Sequence, residues 1–126
     1  MDCFYEPNFE TGKAVRWRIQ RRDAQPFHVA GLWDRWVEPE SGEILYSFSM
    51  LTVNADRHDL TQRFHRRREE KRSIVVVEAK QADAWLNANP DSTADLLRAF
   101  DPAAFSAEPA PLPPRTTRRA ATDRLG

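Results

Sequence analysis

The chain has 126 residues, one cysteine and equal numbers of basic and acidic side chains (19 each), so its formal net charge is zero. That length suits one domain, the neutral balance excludes a basic coat over the whole surface, and a lone Cys3 excludes an intramolecular disulfide and fits a reducing compartment. No apolar run approaches the ~18 residues of a membrane helix, and "MDCFYEPNFE" has neither the basic nor the apolar region of a signal peptide, so a soluble cytoplasmic protein is expected.

The first predicted element is "CFYEP", a short extended aromatic segment ended by Pro7, with Thr11-Gly12 as the following turn. In "AVRWRIQ", Val15, Trp17 and Ile19 alternate with Arg16, Arg18 and Gln20, the period of a half-buried strand. "FHVAGLW" reads as the next strand, pairing with its predecessor across the polar "RRDAQP". Gly31 within it marks a bulge or a close backbone approach. Trp33 and Trp36 are assigned to core and rim packing, with base stacking as the alternative for Trp36. After the turn "EPESGE", the length of "ILYSFSMLTV" and its aromatic and β-branched content predict a central strand. Asn54 is placed in a turn with Asp56.

Residues 57–72 hold seven basic side chains against three acids, a local net charge of +4 that can steer a polyanion although the whole chain is neutral. Within them "FHRRREEKRS" sets His65 beside arginines, which disfavour imidazolium and would leave the ring neutral, a base or hydrogen-bond donor. The same stretch also reads as a solvated loop with an incidental histidine. "SIVVV" follows, apolar on both faces and therefore buried on both. "EAKQADAWLNA" changes period: Ala79, Ala82, Trp85 and Leu86 share a helical face, Glu78 and Asp83 favour the early turns, and Pro90 closes the helix. A second helix is expected in "DSTADLLRAF", capped at Asp91 or Ser92, with Leu96, Leu97 and Phe100 as its apolar stripe. From residue 106 onward four prolines and four arginines accompany only two large aliphatic residues, Leu112 and Leu125. This composition predicts an extended, then disordered tail. The reading is an α+β domain over residues 1–105, mostly antiparallel sheet with two short late helices, and a Pro/Arg-rich disordered tail over 106–126. The aromatic segment starts within three residues of the first, so it is either an edge strand or a strand of a domain that began earlier.

Taken in order, "CFYEP…ETGK", "FHVAGLWDRW", "SFSMLTVNAD" and "FH…EKRSIVVV…AWL" resemble the SOS response-associated peptidase family, the abasic-site processing or SRAP proteins, over roughly residues 3 to 87. The resemblance implies a barrel-like, mostly antiparallel sheet and chemistry on damaged single-stranded DNA. Family members trap the aldehyde of an abasic site with a cysteine that becomes N-terminal, assisted by a glutamate and a histidine. No cofactor, metal or membrane is implied; the expected partner is single-stranded DNA with abasic sites, and the protein is expected to be monomeric and nucleoid-associated when bound.

Carried onto this chain, the family's glutamate matches Glu6 in "FYE" and its histidine matches His65. A carboxyl among Phe4, Tyr5 and Trp17 would lose hydration and gain acid/base character, whereas a strand glutamate facing water would not. The family's phosphate-contacting arginine falls on Arg72, or else on Arg67, because "RRREEK" is interposed here. Arg66 and Arg68 add sequence-independent phosphate contacts if they face the groove; Glu69 and Glu70 are their local partners if they do not.

The family's N-terminal cysteine and the segment that carries it have no counterpart, so the resemblance is to the C-terminal two-thirds of the domain. Cys3 follows a bulky Asp2 and lies three residues from Glu6 on one strand, hence on the opposite face, and is read as buried and structural. Peptidase or lyase-like activity is therefore left undecided, with a non-catalytic single-stranded DNA-binding remnant as the alternative. His28, His58 and His65 show no metal-ligand spacing. A shortened sheet would leave "SIVVV" and "ILYSFSMLTV" as aggregation hazards, predicting poor solubility for the chain alone.

Overall fold

The computed structural model of the chain describes residues 1–115; the expected tail beyond 115 lies outside the described residues. The alternation of Val15, Trp17 and Ile19 acts as its period requires. Strand β2 (Val15–Arg21) is the middle of a three-stranded antiparallel sheet, with β1 (Phe4–Asn8) on one side and β9 (Phe105–Pro109) on the other. Its inner side chains meet Phe4 and Glu6 of β1, through the pairs Phe4–Ile19 and Glu6–Trp17. Pro7 does not end β1, which runs on to Asn8. Proline is tolerated there because β1 is at the sheet edge, and its carbonyl turns outward to accept from the His65 N–H at 3.0 Å.

The tail expected from residue 106 instead begins as β9. Its register, Arg21–Phe105 through Trp17–Pro109, buries Phe105 and satisfies the free edge of β2. Arg16 then clamps the chain just beyond, donating from Nε to the Ala110 carbonyl at 2.8 Å while Ala110 N–H returns a bond to the Arg16 carbonyl. The ladder and one buried aromatic outweigh a composition that alone favours disorder.

"FHVAGLW" does not pair with β2. It divides into β3 (His28–Val29), which pairs with β8 (Val76–Val77), and β4 (Gly31–Val37), which pairs with β5 (Ile44–Met50). "ILYSFSMLTV" also divides, into β5 and β6 (Thr52–Asn54), and β6 pairs with β7 (Arg72–Ile74). The division has one cause. Ala30, Leu51 and Val75 converge in a triangle of backbone bonds: Ala30 N–H donates to Val75 C=O at 2.8 Å, Val75 N–H to Leu51 C=O at 3.3 Å and Leu51 N–H to Ala30 C=O at 3.0 Å. Gly31 at this junction is the close approach its position predicted, since a Cβ there would stand 2.9 Å from the Ser49 carbonyl oxygen. The β4–β5 hairpin therefore leaves the body of the protein at this triangle and is not a central element. Trp33 and Trp36 are accordingly solvent-exposed, not core or rim, with Trp33 at 73% and its neighbour across the strands, Phe48, at 81%.

One core cluster lies under the three-stranded sheet and joins Ile19, Phe27, Phe64, Ile74, Phe100 and Phe105. Edge-to-face contacts such as Phe27 on Phe105, at 5.2 Å between centroids, fix its geometry. A second cluster of Ala30, Val75 and Val77 packs against Trp85 and Leu97, so "SIVVV" is buried on both faces as expected. The first predicted helix is a 3₁₀ turn, Ala79–Gln81, leading into one short helix, α1 (Ala82–Leu86); Leu86 lies outside its apolar face, exposed. The second is only a 3₁₀ turn, Thr93–Leu96, with no side-chain cap at Ser92. Ser92 and Thr93 hydroxyls bond back to the Asn89 carbonyl, a local alternative that competes with helix continuation. The fold is α+β and mostly antiparallel, but among the described residues the sheets are one of three strands and three of two, and no closed barrel forms.

Candidate functional site

Alternation along β1 sends Phe4, Glu6 and Asn8 inward and Cys3 and Tyr5 outward, because Glu6 is opposite Trp17 and Tyr5 opposite Arg18. Glu6 is packed beside Trp17 with its side chain 20% exposed. Burial raises its pKa above the ordinary carboxylate range, and the His65 ring opposes part of that rise. His65 Nε2 stands 3.1 Å from Glu6 Oε2. The structure thus joins the two residues that the sequence placed 59 positions apart.

Four anchors bring His65 there. Phe64 is completely buried, edge-on to Trp17 at 6.0 Å, and so pins the chain immediately before the histidine. Asn8 Nδ2 donates to the Arg63 carbonyl at 3.2 Å, and His65 N–H donates to the Pro7 carbonyl. Lys71, almost wholly buried, donates from Nζ to the carbonyls of His65 at 3.0 Å and of Arg66 at 2.6 Å. Together they hold His65 at φ 63°, the left-handed region that a non-glycine residue enters only when its surroundings over-determine it. Lys71 is held in turn by Asp56, whose Oδ1 accepts from the Lys71 N–H at 2.8 Å. That bond, with the Asn54 side chain, lowers the Asp56 pKa. Asn54 forms the turn with Asp56 that its position predicted, its Oδ1 accepting from the Asp56 N–H at 3.1 Å.

On its far side His65 lines a groove of about 740 Å³ together with Phe9, Asp56, Arg63, Arg67 and Lys71. Glu6 does not line it. It borders a second cleft with Tyr5, Arg16 and Leu112, so the carboxyl–imidazole contact forms a wall between two depressions. Arg66 lies over the Phe9 ring at 5.5 Å, and Arg68 is exposed. Among the described residues no carboxylate lies within salt-bridge distance of Arg66, Arg67 or Arg68; Glu69 accepts only from the Arg66 backbone. Arg72 is placed differently. Its guanidinium donates to Thr52 Oγ1, the Thr52 carbonyl and Glu70, leaving two of its five N–H groups for another acceptor. Asn8, Phe9, Arg63 and Lys71 were not singled out from the sequence. The one signal for Lys71 was its place at the mouth of a fully buried run.

Cys3 is on the face opposite Glu6, as the alternation required, yet it is half-exposed and not a buried structural residue. The Arg18 guanidinium, then Tyr5, draw its thiol pKa below the ordinary value. No group of three His, Cys, Asp or Glu arranged to hold a metal occurs among the described residues, and no helix there is long and apolar enough to cross a membrane.

A family model described as SOS response associated peptidase (SRAP) matches residues 1–111. The abasic site processing protein YoqW of Bacillus subtilis strain 168 is 28% identical over 104 residues, which are 79% of this chain and 43% of that protein, and YoqW of Bacillus phage SPbeta matches equally. A crystal structure of a Bordetella bronchiseptica protein superposes with a TM-score of 0.83 at 37% identity, covering 88% of this chain and 52% of that one. One from Bacteroides thetaiotaomicron gives a TM-score of 0.68 at 25% identity, covering 86% and 46%. The chain spans about half the length of these relatives.

Proposed function

The chain belongs to the SOS response associated peptidase (SRAP) family, and on that premise we propose that it is a DNA-damage protein that binds single-stranded DNA at abasic sites. The observation that carries the reading is the Glu6–His65 contact of 3.1 Å at the wall of a groove that Arg67 lines without a salt-bridge partner and Arg66 borders over Phe9, although Glu10, Asp56 and Glu69 also line it. An abasic sugar is mostly a closed hemiacetal. Opening it takes a proton from the C1 hydroxyl and gives one to the ring oxygen. His65, which lines the groove, is the group placed to exchange protons with that sugar, and the half-buried Glu6 carboxyl, with its raised pKa, holds the ring from behind the wall. Arg66, Arg67 and Arg68 take the flanking phosphates, and the two spare donors of Arg72 take another.

The covalent adduct expected of longer relatives needs a cysteine beside this pair. In this chain the one cysteine lies across the sheet from it, which favours binding without an adduct. The test is a single-stranded oligonucleotide with one abasic site, incubated with the chain and run on native and denaturing gels against an intact control. A salt-sensitive native shift that prefers the abasic strand, with no band surviving denaturation, is expected. The triple variant Arg66→Ala, Arg67→Ala, Arg68→Ala should flatten the salt dependence by ~0.7 in log–log slope for each phosphate it no longer neutralises. Absence of any shift at low salt overturns the reading. A denaturant-resistant band that disappears in Cys3→Ala would move the chemistry to Cys3.

A further inference from the structure

We propose that Phe9 determines the preference of the groove for a damaged strand: its ring stands in for the missing base and stacks on the nucleobase that flanks the abasic sugar. The inference rests on the DNA reading above and names what the strand meets beside that sugar. The chain has seven phenylalanines. Phe27, Phe64, Phe100 and Phe105 are buried in the main cluster, Phe4 packs against it, and Phe48 is on the exposed hairpin. Phe9 belongs to neither cluster, pairs with no other aromatic ring among the described residues, and lines the groove together with His65. Its backbone is fixed on both sides. The buried Asn8 accepts at Oδ1 from the Glu10 N–H at 2.9 Å. The Phe9 carbonyl accepts from the Gly12 N–H at 2.9 Å, closing a turn that Gly12 completes at φ 82°. A ring presented to a groove by a fixed backbone, with no core of its own to fill, is a preorganised contact.

Charge says what such a ring meets. Glu10, Asp56 and Glu69 line the groove against Arg63, Arg67 and Lys71, three acids to three bases. Each acid already has a partner: Glu10 the Arg63 guanidinium at 3.5 Å, Asp56 the Lys71 N–H, and Glu69 the Arg66 N–H at 3.3 Å. A balanced groove gives a phosphate little attraction, whereas an uncharged, flat base loses nothing to it. Phosphates are better met at the rim, where the Arg66 guanidinium lies over the Phe9 ring at 5.5 Å and Arg68 is exposed. Arginine and aromatic ring together are what single-strand binding uses, the cation for the backbone and the ring for the base. An abasic site adds the selectivity. The base next to it has lost one stacking neighbour, so in a stacked strand a base face is open only beside the lesion. Because Phe9 and His65 share the groove, a sugar at His65 puts that neighbouring base in the groove with Phe9.

The experiment measures the affinity of the full 126-residue chain for three kinds of single strand. One has a single abasic site, one is intact, and one also lacks the base on the 5′ or the 3′ side of the site. Phe9→Leu keeps an apolar side chain and removes the π-face; Phe9→Tyr keeps both. Phe9→Leu should weaken binding to the abasic strand roughly 5- to 150-fold. It should leave the intact strand nearly unaffected and so erase most of the preference, which Phe9→Tyr should restore. Deleting the neighbouring base on one side should cost the wild type the same factor and Phe9→Leu nothing further, since both changes remove one contact. The salt slope should be unchanged in Phe9→Leu, which loses no phosphate contact, and fall by ~0.7 in Arg66→Ala. Both Phe9 variants should unfold at the wild-type urea concentration, because Phe9 is outside the core clusters. Were Phe9→Leu to unfold instead, the base deletions on the wild type would decide, and no loss on either side overturns the proposal. It is overturned equally by an undiminished preference in Phe9→Leu, or by losses that add when ring and base are both removed. A reduced salt slope in Phe9→Leu also overturns it, since the ring would then be only a seat for Arg66. Any of these results alongside a wild-type preference for the abasic strand strikes the stacking and leaves the DNA reading standing. A wild type that binds no single strand strikes both.

Discussion

The loop that carries His65 and the β4–β5 hairpin are made of opposite material and held in opposite ways. The loop is almost all charge, yet Phe64 beneath it, Pro7 and Asn8 beside it and Lys71 across its mouth leave its central residue one conformation. The hairpin is rich in Trp, Phe, Tyr and Leu, yet beyond its own ladder and the junction at its base its side chains face solvent. Rigidity here follows from how many independent anchors a segment has, and composition predicts that poorly. A charged segment becomes a site when its backbone is tied from several directions, and an apolar one stays unclaimed when it is tied from one.

The strongest way to break this contrast is to truncate one phenylalanine in each region. Phe64→Ala removes a fully buried ring from the main cluster and should cost ~3–5 kcal/mol in denaturant unfolding, and with it the His65 position. Phe48→Ala removes a ring of similar size that touches little, and should change stability by no more than ~0.5 kcal/mol. Equal losses would mean that the hairpin is covered in solution, by a copy of itself or by something carried through purification.

A smaller effect sharpens the contrast from the loop side. Lys71→Met keeps the length of a nearly buried side chain and deletes its charge-assisted bonds to the His65 and Arg66 carbonyls, for an expected loss of ~1.5–3 kcal/mol. Amide exchange at His65 should accelerate while exchange in residues 31–50 stays as it is. Unchanged exchange at His65 would show that Phe64 and Pro7 suffice to hold the left-handed turn without the lysine.

What the sequence disclosed divides along the same line. Local rules were legible: the alternation of β2, the turn at Asn54 and Asp56, the close approach at Gly31, the two-faced burial of "SIVVV" and the opposite faces of Cys3 and Glu6 all follow from one or two residues and their period. Pairing was not. Nothing local says that residues 105–109 will complete the edge of β2, or that Val75 will bond to both Ala30 and Leu51 and so split two apparent strands into four. Exposure of the hairpin was hidden for the same reason: aromatic and β-branched residues define a strand, while what covers it depends on elements far away in the chain. Glu6 and His65 came from a motif resemblance. The anchors that make them a pair, Asn8, Phe64 and Lys71, are ordinary residues whose role exists only in three dimensions.

The smallest expected effect concerns the sign of the Glu6 contribution, and it separates a buried acid from an ion pair. Burial raises the Glu6 pKa in the folded state above its unfolded value, so between those two values the folded chain binds the proton more tightly. The contribution of Glu6 to stability is then complete below the ordinary carboxylate pKa and declines as pH rises through the folded value, where the ionised carboxylate must bear its desolvation, eased in part by His65. Asp56, whose pKa is lowered by the Lys71 N–H, runs the other way and loses its contribution as pH falls. Glu6→Gln mimics the protonated side chain at every pH and can still donate to His65. Melting temperatures of the two proteins should therefore converge in acid, with the variant slightly the more stable at neutral pH. A wild type that gains on Glu6→Gln as pH rises would mean that the carboxylate–imidazole pair outweighs its burial. Glu6 would then serve to hold a charged histidine in place, with no proton of its own to give.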